Sequence, residues 1–170
     1  MTRILGIDPG SRHTGYGLIE CASNRNRHLA HGRIDTLEGE MPQRLLAILN
    51  GLTDLIREYQ PDEIAIEETF VNRANPASAL VLGQARGAAI CACAQAGLPL
   101  AEYAAAQVKV AIAGNGRAEK QQVQHMVKVL LNLRAALPLD ASDALAVALT
   151  HAHVRGTRLK TGVTLRAAWG

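Results

Sequence analysis

Ile4-Leu5-Gly6-Ile7-Asp8-Pro9-Gly10 is a short apolar run that ends on a carboxylate and then on a turn dipeptide. It is too short for a stable helix and is bounded by Pro-Gly, so Arg3–Asp8 reads as a fully buried strand with Asp8 at its C-terminal end. The same design returns at Glu63–Glu67, where Ile64-Ala65-Ile66 closes on Glu67. Between the two, Thr14–Glu20 reads as a hairpin return and the stretch around His28–Asp35 as a third strand. Leu45, Ile48, Leu49, Leu52, Leu55, Ile56 and Tyr59 then follow helical spacing behind Pro42, and this helix ends before Pro61.

Further along, Asn75-Pro76 supplies an N-cap and a first helical position for a long helix to about Gln95, stopped by Gly97. Leu98–Tyr103 is the next strand. The loop Gly114-Asn115-Gly116 leads into an amphipathic helix with Val123, Met126, Val127, Leu130 and Leu131 on one face. Pro138 precedes a final helix, Asp140–His153. The order is β-β-β-α-β-α-β-α-α-α. Three consecutive strands predict a meander, and the later strand-helix-strand alternation adds parallel strands through right-handed crossovers. The expected fold class is α/β, a mixed five-stranded sheet with helices on both faces.

At 170 residues and 48% hydrophobic content, the chain has enough apolar material for one sizeable core, which excludes a disordered protein. Residues 1–155 are expected to form that domain. Residues 156–170, with Arg158, Lys160 and Arg166 between glycines, read as a basic, loosely ordered tail. The net charge of +3 and pI of about 9.0 are modest. They tell more if several acids are sequestered around cations, because the remaining surface then suits a polyanion. Met1-Thr2-Arg3 runs straight into a core strand, with no signal peptide or spanning segment ahead of it. The expectation is a cytoplasmic protein with no membrane partner. Cys21, Cys91 and Cys93 lack zinc-type spacing and read as packed free thiols of a reducing compartment.

Four carboxylates stand against apolar runs: Asp8, Glu67, and Asp140 with Asp143 at the head of Ala144-Leu145-Ala146-Val147-Ala148-Leu149. Unpaired charge beside a core is expensive, so such a cluster points to bound cations. Ligands that are all oxygen favour Mg²⁺, with Mn²⁺ as a substitute. The i,i+3 spacing of Asp140 and Asp143 puts both on one helix face. Two divalent ions ~4 Å apart could then hold an attacking water and the leaving oxygen of an in-line displacement. Capping alone would explain Asp140 and Asp143 but leaves Asp8 and Glu67 without a reason. Glu68 points to the other side of its strand and reads as solvated. His151 and His153, two apart at a helix end, read as surface residues.

Several short motifs stand in order and at consistent spacing over residues 3–154. They are Gly6-Ile7-Asp8-Pro9-Gly10-Ser11-Arg12 with Thr14-Gly15-Tyr16-Gly17, Ala65-Ile66-Glu67 followed by Phe70, and Leu82-Gly83-Gln84-Ala85-Arg86-Gly87. Tyr103-Ala104 with Gln107-Val108-Lys109, Ala118-Glu119-Lys120 with Val123, and Asp140-Ala141-Ser142-Asp143-Ala144-Leu145-Ala146 complete the set. Together they resemble the RuvC family of Holliday junction resolvases. The resemblance implies a ribonuclease-H-like fold, a homodimer and Mg²⁺-dependent paired nicking of four-way DNA junctions in recombination and repair. It implies two metal ions per subunit on Asp8, Glu67, Asp140 and Asp143, and work alongside the RuvA–RuvB branch-migration motor. It also puts Lys109 and Lys120 near the scissile phosphate and an aromatic, Phe70, beside the acids where it can stack on an unpaired base. Arg12 and Arg86 are candidate phosphate contacts. The Asn75–Gln95 helix, rich in Ala77, Ala79, Gly83, Ala85, Gly87 and Ala88, is the candidate dimer element.

Two other classes compete. An actin-like sugar kinase or ATPase also places an Asp-x-Gly pattern after its first strand, but it needs two such domains and a second glycine-rich phosphate loop. A DNA-binding module that kept the fold without catalysis would have lost at least one of the four acids, and all are present.

Overall fold

The computed structural model describes residues 1–22, 25–36, 39–68 and 76–161. Its elements are β1 (Thr2–Asp8), β2 (His13–Ala22), β3 (Arg25–Asp35), α1 (Met41–Tyr59), β4 (Glu63–Glu67), α2 (Pro76–Gln95), β5 (Leu100–Tyr103), α3 (Ala105–Ala113), α4 (Lys120–Leu130) and α5 (Leu139–Thr161). The order is the expected one. The five strands form one sheet in the order β3-β2-β1-β4-β5. The β1–β2 and β2–β3 pairs are antiparallel, and β1–β4 and β4–β5 are parallel. Meander and crossovers therefore share a single mixed sheet, and β1 lies at its centre.

Strand alternation splits the apolar residues into two cores. Leu5, Ile7, Leu18, Ile64 and Ile66 meet Ile48 and Leu52 of α1 and Ala85 and Ala89 of α2 on one face. Ile4, Ile19 and Ala65 meet Val108 of α3, Val127 of α4 and Leu145 and Leu149 of α5 on the other. On this second face α5 comes down on the sheet almost backbone to backbone. A Cβ at Gly6 would stand 2.1 Å from the Ala144 carbonyl oxygen, and one at Gly15 2.2 Å from that of Asp140. One at Gly17 would meet Leu145 at 2.6 Å. These three glycines form a bare lane across β1 and β2. The small residues Ala144, Ala146 and Ala148 of α5, all fully buried, complete the close fit.

Two expectations are corrected here. Helix α5, expected over Asp140–His153, runs from Leu139 to Thr161 and so takes in residues 156–161 of the stretch expected as a tail. His151 is not a surface residue. It is 6% exposed, and its Nδ1 lies 2.7 Å from the Tyr103 hydroxyl while its Nε2 lies 2.7 Å from Glu63 Oε2. Arg155 Nε donates to the other Glu63 oxygen at 2.8 Å. The periodic signal could not separate the two histidines, because a helix end looks polar whether it faces water or a buried carboxylate.

Helix α2 is long and apolar enough by composition to cross a membrane. It packs instead on α1 and the sheet through Ala85, Ala89, Ala92 and Cys93, and shows its other side to solvent at Leu80, Gly83, Cys91 and Ala94. All three cysteines are unpaired; Cys93 is buried as expected, whereas Cys91 is exposed.

Candidate active site

Asp8 and Glu67 come together because β1 and β4 are parallel neighbours. Ile7 pairs with Ile66 in that ladder, so the next residue of each strand, Asp8 and Glu67, leaves the sheet side by side. Both belong to the α5 face by strand alternation, as Ile4 and Ala65 do. The first turns of α5 descend onto the glycine lane and bring Asp143 to the same place. The result is a cleft of about 220 Å³ lined by Asp8, Glu67, Asp143, Lys109 and Lys120, with Val108 and Val123 as its apolar walls. Asp140 is half-buried at the rim, one turn earlier on α5, and adds its negative charge to the field at Asp8.

The electrostatics are those of a crowded anionic site. Burial, then the neighbouring Glu67 and Asp143, raise the Asp8 carboxyl to about 7. Burial and Asp143 raise Glu67 to about 7 as well, partly opposed by Lys120 and Lys109. Lys120 is the first residue of α4, where the helix dipole disfavours a cation. The acids reverse that preference. Lys120 Nζ donates to Asp143 Oδ2 at 2.9 Å, and this hydrogen bond with the charges of Asp143, Asp8 and Glu67 pushes the ammonium pKa up. Lys120 remains 70% exposed while Asp143 is 16% exposed, so the ammonium reaches into the cleft from the solvent side.

Hard cations fit this donor set, because carboxylates pressed together until their proton affinity rises gain from a divalent charge between them. Among the described residues no three acidic, imidazole or thiolate side chains already converge at ligand distance.

The remaining expected site residues divide. Arg12 is exposed in the turn between β1 and β2, at the same end of the sheet as the cleft. Arg86 is not brought to the site: on α2, across the sheet, it is ion-paired with the buried Glu102 of β5. Both lie on the opposite side from the acids because Glu102 precedes Tyr103, which faces the α5 core. Glu68 is exposed, as expected. Phe70 lies outside the described residues. Gly6, Gly15 and Gly17, which set the α5 approach, went unread as site determinants. Their signal was glycine inside strand patterns, which marks a close backbone approach.

Residues 4–151 match the model of the family described as crossover junction endodeoxyribonuclease RuvC. A crossover junction endodeoxyribonuclease RuvC of Stenotrophomonas maltophilia (strain R551-3) is 56% identical over 172 residues, covering 100% of this chain and 99% of its own. The structure of T. thermophilus RuvC in complex with Holliday junction substrate superposes with a TM-score of 0.85 at 34% identity, covering 92% of this chain and 96% of that one. The yeast mitochondrial Holliday junction resolvase Ydc2 shares the fold, with a TM-score of 0.68 at 14% identity over 94% of this chain and 80% of its own.

Proposed function

The chain belongs to the RuvC family of crossover junction endodeoxyribonucleases, and from that premise we propose that it resolves Holliday junctions by paired, symmetric hydrolytic nicks. The observation that carries the reading is the cleft where Asp8, Glu67 and Asp143 meet Lys109 and Lys120 at the C-terminal ends of the inner strands β1 and β4 of a ribonuclease-H-like sheet. Two Mg²⁺ ions held by Asp8, Glu67, Asp140 and Asp143 would supply an activated water and neutralise the leaving 3′ oxygen, giving a 3′-hydroxyl and a 5′-phosphate. Asp8 and Glu67, projecting together from parallel strands, provide half of the ligand set. Asp140 and Asp143, on the first turns of α5, provide the other half. Lys109 and Lys120 orient the scissile phosphate and offset the charge that builds on it.

Two matched nicks need two sites related by the near-twofold symmetry of the junction, which is the case for a homodimer. The outward face of α2 supports it: Leu80, Gly83, Cys91 and Ala94 recur at helical spacing, and Leu80 is 71% exposed. We place the enzyme in the cytoplasm beside the RuvA–RuvB complex. One experiment tests the core of this reading: a synthetic four-way junction and a linear duplex of the same sequence, incubated with Mg²⁺ or EDTA, with particle mass measured by sedimentation. Paired nicks in the junction alone, only with Mg²⁺ and from a dimer, are expected. Equal cutting of the duplex, or full activity in EDTA, overturns it.

Lys120→Ala is expected to slow the single-turnover step by ~10²-fold while junction affinity changes by less than about threefold, because its charge acts mainly in the transition state. A uniform loss of affinity with an unchanged single-turnover rate would make Lys120 an ordinary phosphate contact. Phe70 we assign to base stacking beside the acids, worth ~1–3 kcal/mol. Phe70→Ala should leave the melting temperature almost unchanged but reduce both cleavage and the fluorescence rise of 2-aminopurine at the branch point. A large drop in melting temperature with normal unstacking would make Phe70 a core residue.

A further inference from the structure

We propose that His151 is a positioning residue for the acidic cluster: by joining Glu63 of β4 to Tyr103 of β5, it fixes the register of α5 on the sheet and thereby the separation of Glu67 from Asp143. The proposal rests on the metal-dependent reading of the cleft and extends it to a residue buried behind the cleft.

The geometry is that of a matched frame. Helix α5 runs antiparallel to β4, with Asp143 beside Glu67 at one end and His151 beside Glu63 at the other. Four strand residues from Glu63 to Glu67 span ~13 Å. Eight helical residues from Asp143 to His151 span ~12 Å. A slide of α5 along the strand is therefore registered at both ends, and the His151 end is the one held by directional bonds. The third corner is Tyr103, whose Cα is paired with that of Glu67 in the β4–β5 ladder and whose carbonyl accepts from Glu68 N at 2.9 Å. His151 thus touches β4, which carries Glu67, and β5, which flanks it on one side.

The bonds are complete in one protonation arrangement. The Glu63 carboxylate can only accept, so His151 Nε2 carries the proton, and Arg155 donates to the second Glu63 oxygen. Nδ1 is then the acceptor of the Tyr103 hydroxyl. Burial lowers the imidazole pKa and raises the phenol to about 12, which keeps both in the required neutral forms. A satisfied chain of this kind holds one geometry, and partners that orient metal-binding groups typically change metal affinity by ~10–100-fold when lost.

The test uses Mn²⁺ as the probe, with no DNA present, and reads the midpoint of Mn²⁺ binding by calorimetric titration, alongside the metal-dependent rise in melting temperature. His151→Phe keeps a ring but loses both bonds, and its midpoint should rise by ~10-fold. Tyr103→Phe, a milder change in case the first variant fails to fold, should raise it by roughly threefold, a fraction of that range. His151→Gln, with one donor and one acceptor, should restore a value close to wild type. The Mg²⁺ midpoint for junction cleavage should move in parallel. Variants whose melting temperature falls equally with and without Mn²⁺, at an unchanged midpoint, would reduce His151 to a structural bond and overturn the inference alone. A wild-type protein with no metal-dependent rise would overturn the metal reading itself.

Discussion

Asp8→Asn, Glu67→Gln, Asp140→Asn and Asp143→Asn proteins are each expected to lose junction cleavage by ~10³-fold or more while still binding the junction at near wild-type affinity. The amide keeps the shape of the side chain and removes the charge that a divalent ion requires, whereas affinity for the junction comes mainly from contacts to its phosphates. Cleavage by Asp143→Asn at the wild-type rate would refute the four-acid site. Stability should move the other way. The Asp8 and Glu67 pKa values are raised in the fold to about 7, so the folded state holds these protons more tightly than the unfolded one. Their contribution to stability is fully present below the ordinary carboxylate range near pH 4 and is lost as pH rises through about 7. In EDTA the wild-type protein should therefore lose stability between pH 5 and 8, by ~1–2 kcal/mol, as a buried and mutually repelling charge is switched on at Asp8. Asp8→Asn should flatten that slope and melt higher than wild type at pH 8. If the variant melted lower there, the ionised Asp8 would be stabilising the fold and the crowding of charge at the cleft would be refuted.

Gly6→Ala is expected to be among the most damaging single-methyl changes in the chain. The added carbon would lie 2.1 Å from the Ala144 carbonyl oxygen, 2.8 Å from the Ala148 nitrogen and 2.9 Å from the Ala148 Cβ. These are backbone atoms and a rigid methyl, with no flexible side-chain end to yield. Overpacking of this kind costs ~1–3 kcal/mol and sometimes more, or roughly 3–10 °C in melting temperature for a chain of this size. If the protein still folds, α5 must lift from β1 and carry Asp143 away from Asp8, so cleavage should fall even where the protein remains fully folded. A Gly6→Ala protein with wild-type melting temperature and rate would show that the glycine lane does not set the helix height. The matched control is Gly156→Ala on α5, where nothing lies within 4 Å of the new carbon and stability should hold.

The amino-acid sequence by itself determined most of the elements, because their signals are local; α3 (Ala105–Ala113) is the helix it left without bounds. The short apolar runs closing on Asp8 and Glu67, the helical spacing from Leu45 to Tyr59 and the breaks at Pro9-Gly10, Pro61 and Gly97 each need only a short window. The placement of Asp8 and Glu67 at strand ends follows from the same signals, and Asp140 and Asp143 sharing a helix face follows from helical geometry. Lys109 and Lys120 were legible through the family pattern and not from composition, since a lysine at a helix N-terminus looks unfavourable until three acids surround it.

Tertiary structure decided what depends on distant partners. That β1 and β4 are neighbours, so that Asp8 meets Glu67, is a property of strand order. That Asp143 reaches them depends on three glycines in β1 and β2. Arg86 looked free until Glu102 took it, and His151 looked exposed until Tyr103 and Glu63 bracketed it. The end of α5 was misread for a related reason: glycine and scattered basic residues signal a tail, yet the helix continues from its buried stretch as far as Thr161. Local pattern states which face of an element is apolar. Which residues then face one another is settled only when long-range packing brings those faces together, because burial and charge pairing act through space and leave little trace along the chain.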